Sequence, residues 1–133
     1  MGIGELPLFA ALRTKMQWHQ TRQGMLAENV ANAETPGYRG RDLKAFSFAE
    51  HVSAFSSASV LTVKTNQNHI QTGNTNNVSF GSRTLNNFEI TPEGNGITLE
   101  DEMMKVASNQ LDYQAATTVY QRSMRLLRTA MGR

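Results

Sequence analysis

The chain has 133 residues, the length of one domain. With 39% hydrophobic and 8% aromatic residues and a single Trp, it lacks the material for a large core. A formal charge of +2 demands no polyanionic partner, and the absence of Cys removes disulfides, thiolate chemistry and Cys-based metal sites while identifying no compartment.

At the N-terminus the apolar run Leu6 to Leu12 is too short to span a bilayer and lacks the basic flank of a signal peptide. Met1-Gly2 would suit myristoylation, but position 6 is Leu rather than Ser or Thr. The expectation is export, if any, without a cleaved signal, and no stable membrane insertion. A first helix is predicted from about Leu8 to Ala31. Phe9, Leu12, Met16, His19, Gln23, Leu26 and Val30 repeat at alternating steps of three and four, the pattern of a coiled-coil seam. Pro7 suits the first helical turn, where its missing N–H costs nothing.

Pro36 disfavours helical geometry at Thr35, and Gly37 permits a left-handed turn, so this helix ends nearby. A polar exit, 37–44, follows. Ser47 and Glu50 form a capping box ahead of Phe48, Val52 and Phe55, which predicts a short helix near 48–56. "VLTVKT" alternates weakly as a strand would. Thr65 to Asn87 is rich in Asn, Thr, Ser and Gly and reads as flexible or ordered only by a partner. "NFEITPEGNGITLE" has two short apolar arms around a Pro and Gly turn, a candidate hairpin.

The last helix has the stronger pattern. Leu99, Met103, Val106, Gln110, Tyr113, Thr117, Tyr120, Met124, Leu127 and Met131 alternate by four and three. Thr98 is the candidate N-cap, with Asp101 three residues on. Glu100, Asp101 and Glu102 sit where the helix dipole favours anions, and Arg122, Arg125 and Arg128 where it favours cations. Such a helix is roughly 50 Å long.

One amphipathic helix alone is marginal in water, so each stripe must bury against something. The nearest partner is the other heptad helix. The fold class is therefore mainly α: two long terminal helices paired as an antiparallel coiled-coil hairpin, with a small irregular or β middle region. Residues 1–36 with 97–133 form a discontinuous helical domain, and 37–96 form the middle. The assembly seam is Leu12, Met16, Leu26, Val30, Met103, Val106, Tyr113, Tyr120, Met124 and Leu127. Met25, Ala27, Met104, Ala107 and Leu111 lie off that seam, so the pair gains stability if copies pack on one another.

No enzyme motif is present. His19, His51 and His69 are scattered, and neither HExxH nor a phosphate-binding GxxxxGK[ST] occurs. No cofactor or metal is expected. A basic helical protein binding a membrane surface or nucleic acid is the alternative class. Its basic residues are separated by long neutral stretches, however, with no aromatic-basic platform.

The string "NVANAETPGYRGRD" is more specific than a helix stop. Asn29, Val30, Ala31, Asn32, Thr35, Pro36, Gly37 and Tyr38 match, position by position, a signature that follows the first helix of flagellar rod and hook proteins. The C-terminal "LEDEMMKVASNQLDYQAATTVYQRSMRLLRTAMG", above all Asn109 to Tyr120, resembles the matching end of the short proximal rod subunits. The chain thus resembles the flagellar basal body rod protein family at both ends, while residues 57–86 match nothing. The resemblance implies a structural subunit, with its terminal helices packed around the axis of a tube that serves as drive shaft and export channel. It implies terminal regions poorly ordered before assembly. It implies type III export without signal cleavage into the periplasmic rod. The implied partners are other copies, the rod proteins FlgC, FlgF and FlgG, the adaptor FliE, and the export gate and MS ring. FlgC itself is a rival member for this chain. Asn29, Asn32, Thr35, Pro36, Gly37 and Tyr38 carry over as the family turn.

Overall fold

A computed structural model of the chain describes residues 6–56, 80–85, 94 and 96–132. The element order is α1 (Pro7–Ala31), β1 (Arg41–Leu43), α2 (Phe48–Ser56), β2 (Ser82–Thr84) and α3 (Leu99–Ala130). The molecule is mainly helical, and no described helix is long and apolar enough to cross a membrane.

Helix α1 starts one residue before the expected Leu8, with Pro7 in its first turn. No side chain caps it; the Ala10 N–H closes the first turn on Leu6 O at 3.1 Å. It ends at Asn32, whose N–H bonds Glu28 O and whose side-chain amide also donates to Glu28 O at 2.8 Å. Helix α2 occupies the span the sequence predicts, and the His51 N–H bonds Ser47 O at its start. Helix α3 begins after Thr98 in extended geometry, but the Thr98 side chain makes no capping hydrogen bond.

The middle region differs from expectation in one respect. Ser82–Thr84, within the stretch read as flexible, pairs antiparallel with Arg41–Leu43, read as a polar exit; Asp42 faces Arg83. The ladder continues through Lys44 N–H to Gly81 O and Leu85 N–H to Gly40 O, both 2.8 Å. Backbone pairing needs no hydrophobic alternation on a strand whose side chains are all exposed, as those of β2 are. The expected strand in "VLTVKT" and the first arm of the candidate hairpin lie outside the described residues.

Helix α1 is the hub. It packs on α3, α2 and β1, whereas α3 packs, among the described elements, on α1 alone. The buried apolar side chains are Phe9, Ala11, Leu12, Trp18 and Leu26 from α1, Leu43 from β1, Ile97, and Ala116 from α3. Trp18 anchors the middle region: its indole N–H donates to Lys44 O at 3.0 Å, and its ring meets Phe46 and the Arg22 guanidinium. From Phe9 to Asn29 along α1, the partners on α3 descend from Tyr120 to Glu102. Gly40 lets the sheet approach closely, since a Cβ there would lie 3.3 Å from Ile97 Cγ1.

Candidate functional site

The turn after α1 is built around Asn29. Its side chain is fully buried and makes four hydrogen bonds, the full capacity of an amide. Nδ2 donates to Arg41 O at 2.7 Å and to Glu102 Oε2 at 3.0 Å; Oδ1 accepts from the Arg41 N–H at 3.0 Å and the Tyr38 hydroxyl at 3.3 Å. One residue thus ties α1, the start of β1 and the first turn of α3 together. Asn32 shapes the exit: its N–H groups hold the helix end, and its Oδ1 accepts from Thr35 Oγ1 at 3.3 Å. The backbone then turns through Tyr38 N–H to Thr35 O. Gly37 sits at φ +71°, a left-handed conformation that strains any residue with a Cβ. Thr35, Pro36 and Gly37 are exposed, and Asn32 and Tyr38 half-buried.

Glu102 completes the junction. It is buried, receives Asn29 on one oxygen, and pairs through the other with Lys105 at 2.7 Å. Nearby, Arg22 grips Asp42 with two parallel bonds of 2.9 Å, and the Leu43 N–H adds a third at 2.8 Å. Burial, the largest single influence, pushes the Asp42 carboxyl up. The Arg22 hydrogen bond and charge, the Leu43 N–H and the Lys105 charge together outweigh it and hold the group below its ordinary value of 3.8.

Halfway along the helices lies a polar layer. The Asn109 amide donates to His19 O at 3.0 Å and to Gln23 Oε1 at 2.8 Å. Its Oδ1, 2.7 Å from His19 Nδ1, therefore accepts the proton on that nitrogen. Gln20 donates to the Tyr113 hydroxyl at the edge of the same notch. His19 Nε2 is the one buried side-chain polar atom, among the described residues, without a hydrogen-bond partner. No group of side chains among the described residues could hold a metal ion.

The residues predicted as a seam are placed as follows. Leu12 and Leu26 are buried; Met16, Val30, Val106, Tyr113, Tyr120, Met124 and Leu127 are half-buried. Phe9 meets Tyr120 edge-on at 5.5 Å, and Thr117 reaches Met16 Sδ. Met103 is 55% exposed within one copy, and the residue before it, Glu102, turns inward. The buried line of α3 is Glu102, Asn109 and Ala116, one residue ahead of the predicted Met103, Gln110 and Thr117. Hydrophobic periodicity passes over Glu102 and Asn109 because they are polar. Their inward position depends on Asn29, His19 and Gln23, all far away in sequence. Their seven-residue spacing was the one local signal.

Helix α3 thus carries a second apolar strip, away from α1. Along the face of α3 opposite that line, Met104, Leu111, Val119 and Leu126 are exposed, Met104, Leu111 and Leu126 by 71%, 67% and 70%. These positions span about 80° at 100° per residue, and their centre lies about 120° from the Asn109 line.

No protein-family model matches the chain. Among curated proteins, it is 32% identical over 114 residues to a flagellar basal body rod protein FlgB of Cereibacter sphaeroides, covering 84% of each. It is 30% identical over 118 residues to that of Salmonella typhimurium, covering 84% of this chain and 86% of the relative. It is 28% identical over 110 residues to that of Agrobacterium fabrum, covering 81% and 80%. All three carry the FlgB name, and the sister subunit FlgC is not favoured. The chain belongs to the FlgB family of flagellar basal body rod proteins.

Proposed function

We infer that the chain is a structural subunit of the flagellar basal body rod, with no catalytic role, and that it assembles through the outward face of α3. The observation that carries this reading is the apolar strip that α3 leaves exposed: Met104, Leu111, Val119 and Leu126 point out, while two of its three buried positions are the polar Glu102 and Asn109. Exposed apolar side chains at helical spacing form a stripe whose burial against neighbours stabilises an assembly by about 25 cal/mol per Å².

In this reading α1 and α3 form an antiparallel coiled-coil hairpin. Residues 1–36 and 97–133 make the shaft-forming domain, and 37–96 a separate middle unit. The Asn29–Tyr38 turn sets the angle between the two. Leu12, Leu26, Tyr113 and Tyr120 hold the hairpin together, and Met103 contributes to contacts between copies rather than within one. Side-by-side hairpins build part of the drive shaft and its export channel. The neighbours are other copies, FlgC, FlgF, FlgG, the adaptor FliE, and the export gate and MS ring. The place of action is the periplasmic rod, reached by export without a cleaved signal. Because neighbours stabilise what one copy cannot, helix content and melting temperature rise with chain concentration.

The test is replacement of the natural subunit in a flagellated cell. Leu111→Asp with Val119→Asp should abolish swimming while leaving the circular dichroism of the dilute chain unchanged. Normal swimming would remove this face from the assembly.

A further inference from the structure

The apolar contacts between α1 and α3 do not by themselves choose how far the two helices slide past each other. The pattern of α3 repeats every seven residues, so a slide of one heptad, about 10 Å, turns nearly the same face toward α1. Consider the slide that brings each α3 residue to the place now held by the residue seven before it. Phe9, which packs on Tyr120, would meet Leu127. Met16, which Thr117 reaches, would meet Met124. Gln20, which donates to the Tyr113 hydroxyl, would meet Tyr120. Each exchange keeps an apolar or phenolic partner. Even Asn29 keeps an acceptor, because Asn109 would arrive where Glu102 stands. Ile97, buried just ahead of α3, would leave its place. The connection itself permits the move, since residues 85–98 reach roughly 45 Å when extended. The opposite slide is excluded, because it sets Asn29 against position 95, before α3 begins.

His19 is the exception. In the slid arrangement it would meet Ala116, whose side chain accepts no hydrogen bond. His19 is 3% exposed, and its ring stands edge-on to Trp18 at 4.9 Å. Trp18 is held in turn by its bond to Lys44 O, so the imidazole is pinned between the helices. Its Nδ1 proton goes to Asn109 Oδ1, and the Asn109 amide is oriented by His19 O and Gln23 Oε1. We propose that this layer is a register lock: the His19–Asn109 hydrogen bond selects which of two heptad-related placements α3 takes along α1. A buried polar layer chooses register at a cost in stability, because one placement alone satisfies its hydrogen bonds. The penalty against the slid placement is a buried imidazole N–H left without an acceptor. The lock acts within one copy and does not depend on the rod-subunit reading. It fixes the axial offset between the start of α1 and the end of α3.

The chain lacks Cys, so spin labels at two engineered sites read the register by electron–electron resonance in the dilute full chain. Ala27→Cys and Gln121→Cys serve, since both positions are exposed and a one-heptad slide shortens their separation by roughly 8 Å. The chain otherwise unaltered should give a single distance. His19→Leu should shift the balance about tenfold toward the slid register, seen as a second, shorter distance, because Asn109 loses its donor and the new side chain suits Ala116. Adding Asn109→Leu should return the single longer distance, since the apolar pair then matches only in the original register. Ala116→Asn should also add the shorter distance, because the amide is buried without a partner in the original register and meets His19 in the slid one. If His19→Leu and Ala116→Asn both keep only the longer distance, apolar contacts set the register and the proposal is overturned. It is overturned equally if both variants lose cooperative urea unfolding, since the slid placement is then no folded state. A shorter distance that persists after Asn109→Leu is added contradicts it as well.

Discussion

Helix α1 and helix α3 have similar seam patterns in the sequence but opposite roles in the structure. Around α1, buried side chains from Phe9 to Asn29 face three different elements, and the helix is the core of the single chain. Only Glu102, Asn109 and Ala116 are buried on α3, and two of those are polar. The same chain therefore holds one helix satisfied largely from within and one that keeps an apolar strip, Met104, Leu111, Val119 and Leu126, open. Burial is a property of the partner as much as of the helix: Asn29 and His19 on α1 convert polar positions on α3 into the inner face.

Substitutions that separate the two helices break or sharpen this comparison, at one fixed chain concentration. Leu26 on α1 is fully buried, so Leu26→Ala should lower stability by about 3 kcal/mol in urea unfolding. A loss under about 1 kcal/mol would remove α1 from its central position. Asn29→Ala should cost about 2 kcal/mol, because the Arg41 N–H and the buried Glu102 oxygen lose their partner. The junction is then shown by a matching rise in hydrogen exchange at the start of α3. Leu111→Ala, on the open face of α3, should change the unfolding free energy of the dilute chain in urea by no more than about 0.5 kcal/mol.

The Asp42 carboxyl gives the smallest effect, visible only in acid. Its folded value lies below 3.8, so the native form binds a proton less readily than the unfolded chain. Its stabilising contribution is complete above the unfolded value and is lost as pH falls through the lowered one. Asp42→Asn should therefore flatten the acid limb of the stability profile below pH 3.8 and leave its shape near neutrality unchanged. An acid limb identical to that of the unaltered chain would mean that Arg22 does not hold this carboxylate.

Much of the fold was legible locally. Pro7, the Thr35-Pro36-Gly37 break and Thr98 mark helix ends through backbone constraints that act within a few residues, and the observed bounds lie close to them. The strand Ser82–Thr84 was not legible, because its partner lies about forty residues earlier and its side chains carry no alternation. At the junction, the resemblance marked Asn29 without a reason. The reason is the four-bond arrangement with Arg41, Tyr38 and Glu102, and Glu102 is remote in sequence. On α3 the buried position is Glu102, which a hydrophobic pattern passes over in favour of Met103, one residue on. Only the complementary amide on α1 reverses that order.

Accessibility of Leu111 before and after assembly tests the open face of α3 most directly. With Leu111→Cys in the otherwise Cys-free chain, a water-soluble maleimide should label the dilute protein fully. In isolated basal bodies the same position should be protected, because a neighbouring subunit covers it. Equal labelling in both states would contradict the account, since the apolar side of α3 would then stay open in the finished rod.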